Sequence, residues 1–119
     1  LSSIYKKTYV ALQYIGYHVE AARFYDTTAQ LPDAFIVYQV IHSESPSFAD
    51  NRETSRSNTV QVSFYTRDGS LLENVPETII LAMKIAGFSN ATGGGTNTPY
   101  FPDTNHYGWR GEFNFFERI

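Results

Sequence analysis

Asn58–Phe88, NTVQVSFYTRDGSLLENVPETIILAMKIAGF, decides the fold. Val60, Val62 and Phe64 alternate with Gln61, Ser63 and Tyr65, the period of a strand with one buried face. Arg67-Asp68-Gly69-Ser70 ends that strand, because Asp-Gly suits a backbone turning through positive φ. Asn74 is placed to cap a helix that begins at Val75-Pro76-Glu77. Proline is tolerated there because first-turn N–H groups have no partner inside the helix, and Glu77 faces the positive end of the dipole. Ile79, Ile80, Ala82, Met83 and Ala86 follow at spacings of three and four, an apolar face. Gly87-Phe88 reads as a stop, with glycine left-handed and Phe88 folded back towards Met83. The unit is strand, turn and helix, and it carries no recognisable chemistry.

Upstream, Ser2 or Ser3 caps a first helix over Ile4–Ile15, and Gly16 ends it. Tyr5, Tyr9, Leu12 and Ile15 form its apolar stripe, away from Lys6, Lys7 and Gln13. His18–Tyr25 reads as a strand with imperfect alternation, followed by a polar connector, Asp26–Asp33. Phe35–His42 (FIVYQVIH) is the best strand of the chain. Phe35, Val37 and Ile41 share one face and Ile36, Tyr38 and Val40 the other; two apolar faces place it inside the sheet. Ser43–Ser57 (SESPSFADNRETSRS) joins this strand to the one at Val60. Its fifteen residues exceed the two to five of an ordinary hairpin, and a loop of that length is either functional or disordered.

Downstream, Ser89–Thr98 (SNATGGGTNT) reads as a glycine-rich, flexible loop. Pro99–Phe101 and Tyr107–Phe116 form a closing hairpin that turns at Pro102–Asn105, with Trp109 to Phe115 lining the core face. The order is helix, three strands, helix, two strands, without internal repeats. Strands joined in sequence by short connections pair antiparallel. The expected fold is α+β: one domain over residues 1–119, a single mainly antiparallel sheet with two helices packed on it and a long inter-strand loop.

Composition narrows function mainly by exclusion. The 119 residues contain no cysteine, hence no disulfide, thiol nucleophile or Cys-based metal site, which fits a reducing compartment. The longest apolar run, Ile79–Met83, is far short of a membrane span, and no secretory signal is visible. Because residue 1 is leucine, a few leading residues are expected to be missing or processed. Nine Lys+Arg against twelve Asp+Glu give a formal charge of −3, with no basic stripe for sequence-specific nucleic-acid binding. Nine Tyr, nine Phe and one Trp suit either a protein interface or a β-rich core.

Chemical motifs are weak throughout. Gly93-Gly94-Gly95 lacks a following Gly-Lys-Ser/Thr and a helix N-terminus to hold phosphate. His18, His42 and His106 are scattered. His42 with Glu44 and Asp103 with His106 have spacings that a metal could use, and each is more simply a surface or strand-end histidine. Ser–His–Asp triads assemble in space, so sequence spacing does not test for one, but no Gly-x-Ser-x-Gly elbow is present. Asp50 and Glu53 sit in a polar loop, where solvation alone accounts for them. No catalytic residue, metal or cofactor is expected.

Several pieces, taken in order, resemble a known family. They are the helix end Ile15-Gly16, the strand entry Leu31-Pro32-x-x-Phe35-Ile36-Val37-Tyr38, and Ala49-Asp50-Asn51. Val60-Gln61-Val62-Ser63-Phe64-Tyr65-Thr66 and Ile85-Ala86-Gly87-Phe88 follow, and Tyr107-x-Trp109-x-Gly111-Glu112-Phe113 closes the series. Together they span nearly the whole chain and resemble the tail terminator (tail completion, head-to-tail joining) proteins of long-tailed bacteriophages. The resemblance implies a structural virion protein in the tail and neck, assembled in the host cytoplasm. It implies a homo-hexameric ring that caps the tail tube protein and then binds a head–neck connector, with DNA passing through the lumen without sequence-specific contact. Six copies would carry a formal −18, a lumen that repels DNA instead of gripping it. Such a ring joins one edge of each subunit to the opposite edge of the next.

The family offers no residue-level binding motif, so interface candidates come from position and type. In Ser43–Ser57, Phe48 is the apolar anchor, and Asp50, Arg52 and Arg56 are polar contacts that set register. Asn90 and Thr96 mark the second candidate loop. The alternatives are another small phage neck or head–tail connector subunit, a small ligand-binding or regulatory α+β domain outside phages, and a metal-using enzyme built on the histidines.

Overall fold

In the computed structural model, Asn58–Phe88 forms a strand, a short 3-10 turn and a helix. The structure describes residues 3–21, 31–44, 48–49, 52–53, 55–90 and 93–118. The elements are α1 (Ile4–Leu12, continued by a 3-10 turn Gln13–Ile15), β1 (His18–Ala21), β2 (Ala34–Glu44), β3 (Phe48–Ala49) and β4 (Arg52–Glu53). They continue with β5 (Ser55–Thr66), a 3-10 turn (Gly69–Glu73), α2 (Val75–Ile85), β6 (Ser89–Asn90), β7 (Thr96–Phe101) and β8 (His106–Arg118). One sheet has the order β1-β2-β5-β8, with β6 and β7 both paired to the outer side of β8; β3 and β4 form a separate two-stranded ladder. Two helices and a mostly antiparallel sheet make an α+β fold.

Register builds the core from three cross-strand rungs. Ile36, Phe64 and Trp109 lie side by side, then Tyr38, Val62 and Gly111, then Val40, Val60 and Phe113. Alternation puts these residues on one face. There Leu12, Ile79, Met83 and Phe88 join them as buried residues from the helices and the turn after α2. The middle rung lacks a side chain on β8, and the Trp109 indole fills that gap. It lies so close over Gly111 that a β-carbon there would stand 2.6 Å from its Cη2. On the other face, Phe35 sits 5.3 Å from Tyr65 and from His106, and Tyr65 is 5.8 Å from Phe101. These rings form a small cluster at one end of the sheet. Among the described residues no second layer covers this face.

Several local expectations need correction. β1 runs parallel to β2, with His18 opposite Phe35, so this pair departs from the antiparallel expectation. Parallel strands need a crossover longer than a hairpin turn, and twelve residues separate Ala21 from Ala34. Residues 22–25 of the expected first strand lie outside the described residues. The connection after β2 is shorter than the expected Ser43–Ser57. Strand β2 runs to Glu44 and β5 starts at Ser55, leaving ten residues between them. The polar strand ends are held by neighbours: Ser43 donates to Asn58 Oδ1 at 2.7 Å, and Thr59 donates to Asn114 Oδ1 at 2.7 Å. Likewise Ser89–Thr98 is not all loop, because its ends form β6 and the start of β7.

The helix signals divide in the same way. Ser3 caps α1 through a bond from the Lys6 amide at 3.1 Å. Tyr9, expected in the apolar stripe, is 43% exposed, whereas Thr8 is fully buried. The Thr8 hydroxyl donates to Ile4 O at 2.7 Å, so burying it leaves no unmet donor. Asn74 makes no side-chain cap; its backbone is already helical because the chain enters α2 straight from the preceding 3-10 turn. Asp68 does the capping one turn earlier, accepting from Ser70 N at 3.0 Å and Ser70 Oγ at 2.7 Å. Gly69 therefore needs no positive φ; its constraint is the Tyr107 ring, 3.3 Å from where a β-carbon would sit. Gly87 is left-handed at φ +100, and Phe88 N donates back to Met83 O at 2.9 Å, the expected stop.

The Ser70 hydroxyl, then the Ser70 amide, hold the Asp68 carboxyl below the ordinary aspartate range. Both bonds favour the carboxylate. A depressed folded value means the contribution is present above the unfolded pKa and is lost as pH falls through the folded one. Carboxyl NMR titration is expected to give Asp68 a midpoint below that of free aspartate. Ser70→Ala is expected to raise that midpoint.

Candidate assembly surfaces

The radius of gyration is 15.4 Å and the principal extents are 53 × 29 × 24 Å. A compact chain of this length has a radius near 13.5 Å. Long strands cause the excess, since thirteen residues of β8 alone extend about 43 Å. The molecule therefore has two ends, and the interface candidates distribute between them and the outer side of β8.

The first end carries the β2–β5 connection. Phe48 lies opposite Glu53, and Ala49 opposite Arg52, in the β3–β4 ladder. Asp50 falls outside the described residues. Arg56, half-buried, stands on β5 opposite Glu117 of β8. Phe48, Arg52 and Arg56 thus belong to one extended hairpin. Asn90 and Thr96 do not join them. Asn90 pairs with Phe113 in β6, and Thr96, exposed, pairs with Arg110 in β7. Arg110 in turn faces Ser63, seven residues along β5 from Arg56. Thr96 is therefore displaced by about 23 Å along the strands from Arg56. Beyond Asn114, the outer side of β8 has no strand partner among the described residues, an open edge over 115–118.

The second end is cross-tied by Arg67. Its guanidinium donates to Asp33 Oδ1 at 2.7 Å and to Thr104 O at 3.0 Å. Its amide also donates to Asp33 O at 2.8 Å. The His106 imidazole, 1% exposed, donates from Nε2 to Pro32 O at 2.9 Å. A carbonyl only accepts, so Nε2 carries the proton, and His106 acts as a structural clamp between β8 and the entry to β2. Its expected partner Asp103 is solvent-exposed in the turn after β7. His18 lies 3.4 Å from Glu20 on the exposed edge strand. Among the described residues no three His, Asp or Glu side chains cluster as metal ligands.

The glycine-rich segment has a specific seat. The Trp109 indole donates to Gly94 O at 3.2 Å, and a β-carbon on Gly95 would lie 2.5 Å from Arg110 O. The segment is a lid on Trp109, which is 3% exposed. Residue order alone hides this arrangement, because the indole arrives fifteen positions later. Two further features escape the sequence reading: the Arg67 tie, whose partners lie more than thirty residues away, and the outward apolar residues of the helices. The unbroken run Ile79–Met83 was the available signal for the latter.

No described helix is long and apolar enough to cross a membrane. No protein-family model matches the chain, and no curated protein matches it.

Proposed function

We propose that this chain is a structural subunit of a bacteriophage tail, a terminator that closes the tail tube as a ring and joins it to the neck. The observation that carries the reading is the β2–β5 connection, whose described residues Phe48–Ala49 and Arg52–Glu53 pair in a ladder separate from the shared sheet. A separate ladder offers a neighbour a contact surface outside the core, and lengthening a loop to carry it adds little closure entropy. The open edge of β8 over 115–118 offers unpaired backbone groups to a second surface. A ring joins two different surfaces of each subunit, and these two are distinct: the connection has its own β3–β4 ladder, and the open edge belongs to β8. The reading assigns no enzymatic step and no cofactor. It places the protein in the virion after assembly in the host cytoplasm, with DNA passing through a lumen of repelling charge.

The test is electron microscopy of tail tubes, assembled from the tube protein encoded in the neighbouring reading frames, with and without this chain. Capped tubes of uniform length are expected, with six copies of the 13.5 kDa chain, about 81 kDa, at one end. Tubes that bind none of the protein would overturn the function. The hairpin has its own test. Glu44 faces Ser57, so Asn-Gly in place of residues 45–56 completes a two-residue turn. That variant is expected to keep its circular dichroism spectrum and lose capping. Capping at the wild-type level would remove the hairpin from the mechanism.

A further inference from the structure

The outer surface of the helical layer carries large apolar residues between its charged ones, where a surface layer is usually polar. At 100° per residue, Leu81 lies opposite the buried Ile79–Met83 side of α2, and Val10 lies opposite the buried Thr8–Leu12 side of α1. Leu81 is 57% exposed, Ile85 78%, Val10 43% and Tyr14 82%. A helix that is hydrophobic all round is normally a covered helix. With Ile79, Ile80, Leu81, Ala82 and Met83 in succession, α2 has apolar groups in every direction but shelter on only one side.

Charge on the same surface says what covers it. The start of α1 and the end of α2 meet at Phe115: Lys7 Nζ lies 4.6 Å over that ring, and a β-carbon on Gly87 would lie 3.3 Å from it. The helices are therefore antiparallel. Lys7 is engaged by Glu117 at 3.0 Å, which leaves Lys6 and Lys84 as exposed cations at that end. Glu73 and Glu77 are exposed at the other. The layer has a positive end, an apolar middle and a negative end. Such a surface is complementary to a reversed copy of itself and repels a copy in the same direction. The numbering agrees on both helices. Leu81 stands beside the midpoint of Glu77 and Lys84, and Val10 stands at the midpoint of Lys6 and Tyr14.

We propose that the outer face of α1 and α2 is the interface of a homodimer. Two copies meet about a two-fold axis that lies in the interface, perpendicular to the helices. Leu81 and Val10 pack at the axis against their own counterparts. Glu77 meets the partner subunit's Lys84, and Lys6 lies over the ring of the partner subunit's Tyr14, a cation–π contact. This is an isologous contact, unlike the head-to-tail contact of a ring. It concerns the free chain and stands whether or not the protein closes tail tubes.

Sedimentation velocity from about 1 to 200 µM, a span that resolves micromolar association, tests it. The wild type is expected to pass from 13.5 kDa to twice that mass as concentration rises. Leu81→Glu sets two carboxylates against each other at the axis and is expected to weaken the dimer about a hundredfold. Leu81 is exposed, so the variant should fold. Should it not, the exposed charge pair supplies a second route: Glu77→Lys and Lys84→Glu each weaken the dimer, and the double reversal restores it. A wild type that stays monomeric throughout overturns the proposal. So does a dimer or hexamer that Leu81→Glu leaves intact, or a double reversal no better than the single ones.

Discussion

Phe64→Ala is expected to lower the stability of the fold by about 3–5 kcal/mol. Phe64 has no solvent exposure. It is the middle residue of the Ile36–Phe64–Trp109 rung, so a neighbour stands on either side within the sheet. Above it, Tyr17 closes edge-on at 5.3 Å between ring centroids. The walls of the resulting cavity belong to two other strands and to the segment after α1, which backbone pairing prevents from collapsing inward. Domains of this size hold roughly 5–15 kcal/mol in total, so one truncation takes a large share. Urea unfolding, followed by circular dichroism, is expected to show a lower midpoint at nearly unchanged slope. Gln61→Ala, on the same strand but the opposite face, is expected to cost under about 1 kcal/mol. Equal losses at both positions would contradict the one-sided core.

That contrast is the part of the fold that sequence pattern carries. Period-two alternation at Val60, Val62 and Phe64 identifies a buried face because it reports burial directly. The same holds for Trp109 and Phe113, and for the Gly87-Phe88 stop, which depends on neighbouring residues alone. Polar strand ends carry no such signal. Ser55–Thr59 is extended because Asn114 and the end of β8 wait beside it, more than fifty residues away in the chain. Asn74 has the right side chain for a cap, but the turn before it leaves the backbone in the wrong conformation to use it. The interface candidates follow the same division. Phe48 and Arg52 belong to the long polar connection between β2 and β5 and pair there in a ladder of their own. Asn90 and Thr96, expected in a loop, are ladder residues. The pairing that orders them involves Phe113 and Arg110, which local pattern cannot supply.

The dimer face and the hairpin make separate demands on the molecule. Leu81 and Val10 point away from the sheet, whereas the hairpin and the open edge of β8 lie at its end and side. Occupying one does not consume the other. A chain held as a dimer through its helices still presents both sheet surfaces. Leu81→Glu is accordingly the variant that separates the two, removing self-association without touching the hairpin.

Gly95→Ala is expected to cost about 2–4 kcal/mol, the range of a steric clash beside a special backbone conformation. Two effects combine. Gly95 sits at φ +77, where an L residue carries roughly 1 kcal/mol or more of strain. Its β-carbon would also lie 2.5 Å from Arg110 O and 2.6 Å from two carbons of the Trp109 indole. The carbonyl belongs to a strand paired on both sides and cannot retreat, so the segment must lift. Lifting it breaks the bond from Trp109 Nε1 to Gly94 O and opens the indole to water. Gly93→Ala isolates the first effect: Gly93 is also left-handed, at φ +66, but a β-carbon there meets nothing within 4 Å. It is expected to cost only about 1 kcal/mol. The chain has a single tryptophan, so its fluorescence reports this site alone. Gly95→Ala is expected to shift the native emission to longer wavelength and lower the urea midpoint, whereas Gly93→Ala leaves the emission in place. Identical spectra and midpoints for the two variants would mean that the glycine segment does not seat on Trp109.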